Sequence, residues 1–209
     1  TLAIVELMRI LHDEEGIKWD NAWNITTKTF CYTNHTLLAE ALEKWSVELL
    51  TRVLPRHMQL IFKINESFLK KIEINYSNDI ELIRKVSLIE EGDQQMVRMA
   101  NLCVIGSNKV NGVSALHSQL LKDETMPEFN RIFPNKFCNV TNGITHRRWL
   151  VKINPQLSSL INDYIGDCWI QNLDKLKEFE KFVDNEEVQQ KYAKIKQEKK
   201  NELVSYIKE

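Results

Sequence analysis

Two hundred and nine residues, 43% of them hydrophobic, give room for one large domain or two modest ones around a real core. Six glycines and four prolines, about 3% and about 2% against usual values near 7% and 5%, are too few for the turns of an all-β sandwich or barrel. A net charge of -1 leaves no basic footprint for nucleic acid, and no apolar run approaches the ~20 residues of a membrane span.

The chain opens directly on a helical pattern of Leu2, Val5 and Met8, with Ile10 and Leu11 behind. At the other end Leu203-Val204-Ser205-Tyr206-Ile207 still carries the apolar positions of a packed helix, so the sequence reads as an internal piece of a longer protein. Leu38, Leu42, Trp45 and Leu49 fall on one helical face that Thr36 is placed to cap. Pro55 suits the first turn of the next helix, where Leu60, Ile64, Phe68 and Ile72 repeat every fourth residue. Asp79 is placed to cap a short helix bearing Leu82, Ile83 and Val86.

Leu102-Cys103-Val104-Ile105, stopped by Gly106, predicts a buried strand. Val113, Leu116, Leu120 and Leu121 restore helical spacing, and Phe137 to Val140 predicts a second strand. Pro155 to Tyr164 predicts a helix stopped by Gly166, and Asp184 with Glu187 resembles a capping box for a long charged helix. Lys194 to Lys200 reads as a solvated face of that helix. The fold class is therefore α/β with helices dominating and no internal repeat. Cys31, Cys103, Cys138 and Cys168 stand far apart without a C-x-x-C pair, which predicts reduced, mostly buried thiols and no metal site.

No G-x-G-x-x-G, P-loop, H-E-x-x-H or G-x-S-x-G is present. The chemistry is concentrated in short polar segments beside apolar runs, where α/β proteins place their sites. These are residues 32–36 (YTNHT), 106–113 (GSNKVNGV) and 139–149 (NVTNGITHRRW). His35 beside Asn34 and two threonines suits a polyhydroxylated ligand or a helix cap; Asn111-Gly112 and Asn142-Gly143 suit a turn or a ligand contact. Arg147-Arg148-Trp149 suits an anion, a stacked ring or a solvated helix start. His12 and His146 read as surface residues, and His117 as a satisfied structural histidine.

Taken together, CYTNHTLLAEALEKWSVELLTRVLPRHMQLIFKIN, SLIEEG, ANLCVIGSNKVNGVSALHS and NVTNGITHRRWL resemble the glycogen phosphorylase, or α-1,4-glucan phosphorylase, family in one register along essentially the whole chain. The resemblance implies a helix-rich part of a two-domain, glycosyltransferase-B-like architecture with Rossmann-like halves. Residues 1–140 would be the C-terminal part of the N-terminal domain, and 141–209 the beginning of the C-terminal, cofactor-binding domain. It implies retaining phosphorolysis of glycogen, starch or maltodextrin by inorganic phosphate to α-glucose 1-phosphate, in a cytoplasmic homodimer dependent on pyridoxal phosphate. The lysine that holds this cofactor is expected outside the chain, so the chain alone is expected to be inactive.

By the same resemblance the His35 side chain holds the glucosyl 6-hydroxyl while its carbonyl faces the anomeric carbon. Asn142 is a second ligand of that hydroxyl, Val113 after Asn111-Gly112 is an apolar wall, and Trp149 lines the cofactor site. Arg56, His57, Gln59, Asn65 and Glu91 fall where the family has a non-catalytic glycogen storage site. His146 replaces a proline of the family pattern, Asn101 and Asn108 replace commoner histidines, and Phe62 and Gln95 replace a storage-site tyrosine and lysine. A carbohydrate-binding or scaffolding module on the same fold is the alternative.

Overall fold

The computed structural model describes residues 1–76 and 79–208, and these form two compact units, Thr1–Asn142 and Gly143 onward. The first unit is built around α4 (Pro55–Asn75), which buries Met58, Leu60, Ile61, Ile64, Phe68 and Ile72. Pro55 starts it as the periodicity predicts, since a proline in the first turn forfeits no helical hydrogen bond. Against it lie α1 (Ala3–Arg9), which contributes Ile4, Val5 and Met8 to the core, and α2 (Trp19–Thr29). The predicted cap at Asp79 holds: its Oδ1 accepts from Leu82 N at 3.1 Å at the start of α5 (Ile80–Val86).

Two small sheets complete this unit. β1 (Cys31–Thr33), β5 (Lys109–Gly112) and β6 (Phe137–Asn139) form a parallel sheet in the order β1-β5-β6, pairing Thr33 with Asn111 and Asn111 with Cys138. β2 (Lys44–Ser46), β3 (Ile89–Glu90) and β4 (Met96–Arg98) form an antiparallel sheet with β4 in the middle. The helix-dominated α/β class is the observed one, and the predicted strand at Phe137 is β6.

Several expectations are corrected. The helix predicted through Leu38 to Leu49 is a short 3-10 turn at Ala39–Ala41, then β2, then α3 (Val47–Val53). Pairing of Lys44, Trp45 and Ser46 with β4 overrides the helical spacing, and Ser46 rather than Thr36 caps α3, its Oγ accepting from Leu49 N at 3.0 Å. The strand predicted at Leu102–Ile105 is a helix, α6 (Met99–Gly106), buried on every side. An unbroken apolar run of that length has no periodicity to separate helix from strand.

Helix α7 (Ala115–Leu120) starts after Val113 and leaves Leu116 exposed. It continues as a π-helical turn at Leu121–Thr125, followed by α8 (Pro127–Ile132). Of the four free cysteines only Cys103 is buried; Cys31 and Cys168 are exposed. His12 is not a free surface residue: its Nδ1 meets Ile17 O at 2.9 Å and its ring packs edge-on against Trp19.

The second unit is helical. A π-helical turn at Arg147–Lys152 leads into α9 (Pro155–Ile165), which Gly166 ends at φ +71°, as its predicted stop requires. Two 3-10 segments, Cys168–Ile170 and Leu173–Phe182, lead to α10 (Glu186–Lys208). Asn185, not Asp184, caps α10: its Oδ1 accepts from Val188 N at 3.1 Å. Trp169 is fully buried and donates from Nε1 to Asn162 Oδ1 at 2.8 Å. His146 is likewise engaged, its Nε2 lying 2.8 Å from Ile170 O. The apolar residues near the chain end, Leu203, Val204, Tyr206 and Ile207, are exposed rather than packed. Among the described residues no helix is long and apolar enough to cross a membrane.

Candidate functional site

Parallel strands end on one edge, so the segments after β1, β5 and β6 emerge side by side. His35 follows β1, Val113 follows β5, and Asn142 lies three residues beyond β6. The edge is closed by backbone hydrogen bonds past the strand ends: Asn34 N donates to Asn111 O (2.9 Å), Val140 N to Gly112 O (3.2 Å) and Asn142 N to Val113 O (3.1 Å). His35, Asn111, Val113 and Asn142 are thus brought together by register alone.

Side chains then fix the turns. Asn34 is buried, and its Oδ1 accepts from Thr36 N at 3.0 Å, an Asx turn that bends the chain immediately after β1 and leaves His35 exposed. Thr36 repeats the device one step on, its Oγ1 accepting from Leu38 N at 3.1 Å. Thr33 Oγ1 donates to Asn111 Oδ1 across the sheet at 2.8 Å, and Asn111 Nδ2 donates to Gly112 O at 3.0 Å. Asn111 therefore braces the edge with both ends of its amide. Burial pushes the Tyr32 phenol up, against the hydrogen bond from Asn34.

Gly112 is where β5 touches α7. A Cβ there would stand 2.5 Å from Ser118 Oγ and 2.8 Å from Ser118 Cα, so only glycine permits the approach. Ser118 Oγ donates to Asn139 Oδ1 at 3.0 Å, tying α7 to β6, and Asn139 Nδ2 donates to Thr141 Oγ1 at 3.1 Å. The result is an open edge on which the His35 and Asn142 side chains are exposed and make no hydrogen bond among the described residues, with Val113 half-buried beside them. Exposed donors and acceptors held in this way suit hydroxyl groups better than an apolar ligand.

The remaining candidates stand elsewhere. Trp149 belongs to the second unit, where its ring is 66% exposed. Beside it Arg147 Nη1 donates to Ile170 O at 3.1 Å. The large cavity of that unit, about 830 Å³, is walled by carbon surfaces such as Leu157, Ile161, Phe179, Phe182 and Val188. Arg56 and His57, in the first turn of α4, turn toward the first helical segment. Arg56 makes two 2.7 Å hydrogen bonds to Asp13 and one to Gln59, and His57 meets Glu6 at 2.8 Å.

Arg9, and after it His57, hold the Glu6 carboxyl down to about 2, and Arg56 likewise lowers Asp13. Asn65 lies about 13 Å further along the helix, where its Oδ1 accepts from Leu88 N at 2.8 Å. Glu91 is exposed just past β3. These five do not gather at one place: three face the chain's start and two the β3 region.

Ser118 is not singled out by the sequence, Asn34 and Thr33 stand in it only as polar neighbours of His35 without their bracing partners, and His117 reads there as structural. The signal for Asn34 is present in T-N-H-T, an asparagine two residues before a threonine amide it can accept from. The partners of Ser118 and Thr33 lie 21 and 78 residues away, and no local pattern encodes them.

The chain matches the family model "Carbohydrate phosphorylase" over residues 1–209. It is 52% identical over 207 residues to a glycogen phosphorylase of Pasteurella multocida, covering 99% of this chain and 25% of that protein. The identity is 49% to a glycogen phosphorylase of Synechocystis sp. (99% and 24%) and 47% to the muscle form of Homo sapiens (99% and 25%). The chain spans about a quarter of the length of the curated relatives it matches.

Proposed function

The chain belongs to the carbohydrate phosphorylase family, and on that footing we propose that it is a portion of an α-1,4-glucan phosphorylase. The whole protein, a cytoplasmic homodimer, cleaves the terminal α-1,4 bond of glycogen, starch or maltodextrin with inorganic phosphate and releases α-glucose 1-phosphate with retention. Residues 1–140 form the C-terminal part of its N-terminal domain, and 141–209 the beginning of its cofactor-binding domain. The observation that carries this reading is the common edge of the parallel sheet, where His35, Val113 and Asn142 emerge side by side.

On that edge the terminal glucosyl group is held by its 6-hydroxyl between the His35 imidazole and the Asn142 carboxamide, against the apolar side of Val113. The likeness to the family places the His35 carbonyl toward the anomeric carbon, and the Asx turn at Asn34 restrains the chain at that point. A fixed carbonyl dipole there stabilises positive charge as the glycosidic bond breaks, and it does so without reorganising.

Pyridoxal phosphate, when bound, supplies proton transfer to and from the substrate phosphate through its own phosphate group. The residues of this chain fit one wall of its site, the open ring of Trp149, and the described residues around that ring offer no enclosed cradle for a phosphate. The steps assigned to this chain are therefore those of the glucosyl group alone. Of the storage-site residues, Arg56, His57 and Gln59 at the start of α4 form a weaker glucan contact, with Asn65 and Glu91 standing apart from them.

The test is phosphorolysis by the whole protein carrying His35→Ala. Turnover is expected to fall by about a hundredfold while glucan affinity changes little, because the lost contact tightens at the transition state and remote subsites hold the polymer. Unchanged turnover with weaker glucan binding contradicts the role given to His35.

A further inference from the structure

His117 lies on the first turn of α7, and its ring Nδ1 stands 3.0 Å from the backbone nitrogen of Val113. A backbone amide only donates, so Nδ1 accepts and the proton of the neutral ring sits on Nε2. Nε2 is buried and has no partner among the described residues. An aliphatic side chain would avoid that cost, but it would leave the Val113 N–H without its acceptor. The arrangement therefore favours holding Val113 over satisfying the ring.

The ring is itself held. His117 N donates to Ser114 Oγ at 3.0 Å, the cap of α7, and its neighbour Ser118 is pressed against Gly112 and bonded to Asn139. Both polar backbone atoms of Val113 are then committed: its N–H to His117, its carbonyl to the N–H of Asn142 at 3.1 Å. The two hydrogen bonds hold the two peptide groups on either side of the Val113 Cα, so this one residue is pinned between the imidazole and the backbone amide of Asn142.

We infer that His117 is a positioning residue, fixing the Val113 wall and, through the Val113 carbonyl, the Asn142 amide before a sugar arrives. This deepens the glucosyl subsite proposed above and rests on it. A subsite set in advance pays less ordering entropy on binding, which matters where only a few contacts hold the sugar.

The experiment uses the 209-residue chain, labelled with nitrogen-15. The His117 ring is expected to show an unprotonated Nδ1 and a protonated Nε2; the opposite tautomer overturns the inference without any substitution. In His117→Leu, amide hydrogen exchange at Val113 and Asn142 is expected to quicken about five- to tenfold. His117→Asn, whose Oδ1 can accept near the Nδ1 position, is expected to restore slow exchange. Unchanged exchange in the leucine variant, or no rescue by asparagine, overturns the inference.

Glucose titration separates the two readings. Glucose is expected to move the Asn142 amide resonance in the parent chain and to bind at least about threefold more weakly in His117→Leu. Equal binding by both removes the positioning role and leaves the subsite standing. No response in the parent chain overturns the subsite, and the role of His117 toward a sugar with it.

Discussion

At the scale of single residues, Lys136 shows what burial does to a charge. Its ammonium donates to Val104 O at 2.8 Å at the end of α6 and lies 4.1 Å from the Phe133 ring centroid. Burial pushes it down to about 8. An unfolded lysine keeps its proton to about 10.4, so between these values the unfolded chain binds more protons and stability rises with pH. Burial also pushes the Cys103 thiol up to about 11, which works in the opposite direction over an overlapping range. The difference between the parent chain and Lys136→Met is therefore the quantity to read. Urea midpoints at about pH 7.5 and about pH 9.5 should show the parent gaining stability relative to the variant at the higher pH. A constant difference would contradict the burial of this charge.

Gly112 makes the second residue-scale case. Gly112→Ala forces its new carbon against the backbone of Ser118, and a loss of about 1–3 kcal/mol in urea unfolding is expected. Asn111-Gly112 reads as a turn signal, yet both residues close strand β5 because the sheet pairs them, and the closeness of α7 was not legible either. That constraint comes from a helix packed behind the strand. The same holds for Thr33 and Asn111, each legible as polar and neither as the other's partner.

At the scale of elements, what could be read from sequence depended on how many faces an element buries. Helix α4 buries one face and exposes another, so its spacing announced it. Ile64→Ala is expected to cost about 2–5 kcal/mol, since Ile64 is 2% exposed. Helix α6 buries all its faces and was read as a strand. The stretch from Leu38 to Leu49 keeps helical spacing, yet Lys44, Trp45 and Ser46 pair with Arg98, Val97 and Met96 of β4, a distant segment of the chain. Of the caps expected from sequence, Asp79 holds, whereas Thr36 and Asp184 give way to Ser46 and Asn185. Asp79→Ala is expected to cost about 1 kcal/mol in unfolding free energy, and an unchanged denaturation midpoint would show that the hydrogen bond to Leu82 contributes nothing.

At the scale of the molecule, family membership was carried by several ordered motifs, whereas the shape of the site came from register. T-N-H-T, V-N-G-V and V-T-N-G lie far apart in the chain, and only the order β1-β5-β6 puts them on one edge. The proposed site on this chain is open, and few groups are placed to contact a sugar there. Glucose is therefore expected to bind at millimolar Kd or weaker, no more than about 4 kcal/mol. The exposed Leu203, Val204, Tyr206 and Ile207 on α10 favour concentration-dependent self-association. Sedimentation of the chain beside a variant with serine at Leu203 and Ile207 checks this; identical behaviour would show that α10 has no part in it.

The most direct measurement is a crystal structure of the 209-residue chain grown with glucose at about a hundred times a millimolar Kd. The sugar is expected on the β1-β5-β6 edge, its 6-hydroxyl within hydrogen-bond reach of both the His35 ring and the Asn142 carboxamide, with Val113 against the pyranose. Glucose bound elsewhere, or His35 and Asn142 facing opposite sides of that edge, would contradict the assignment.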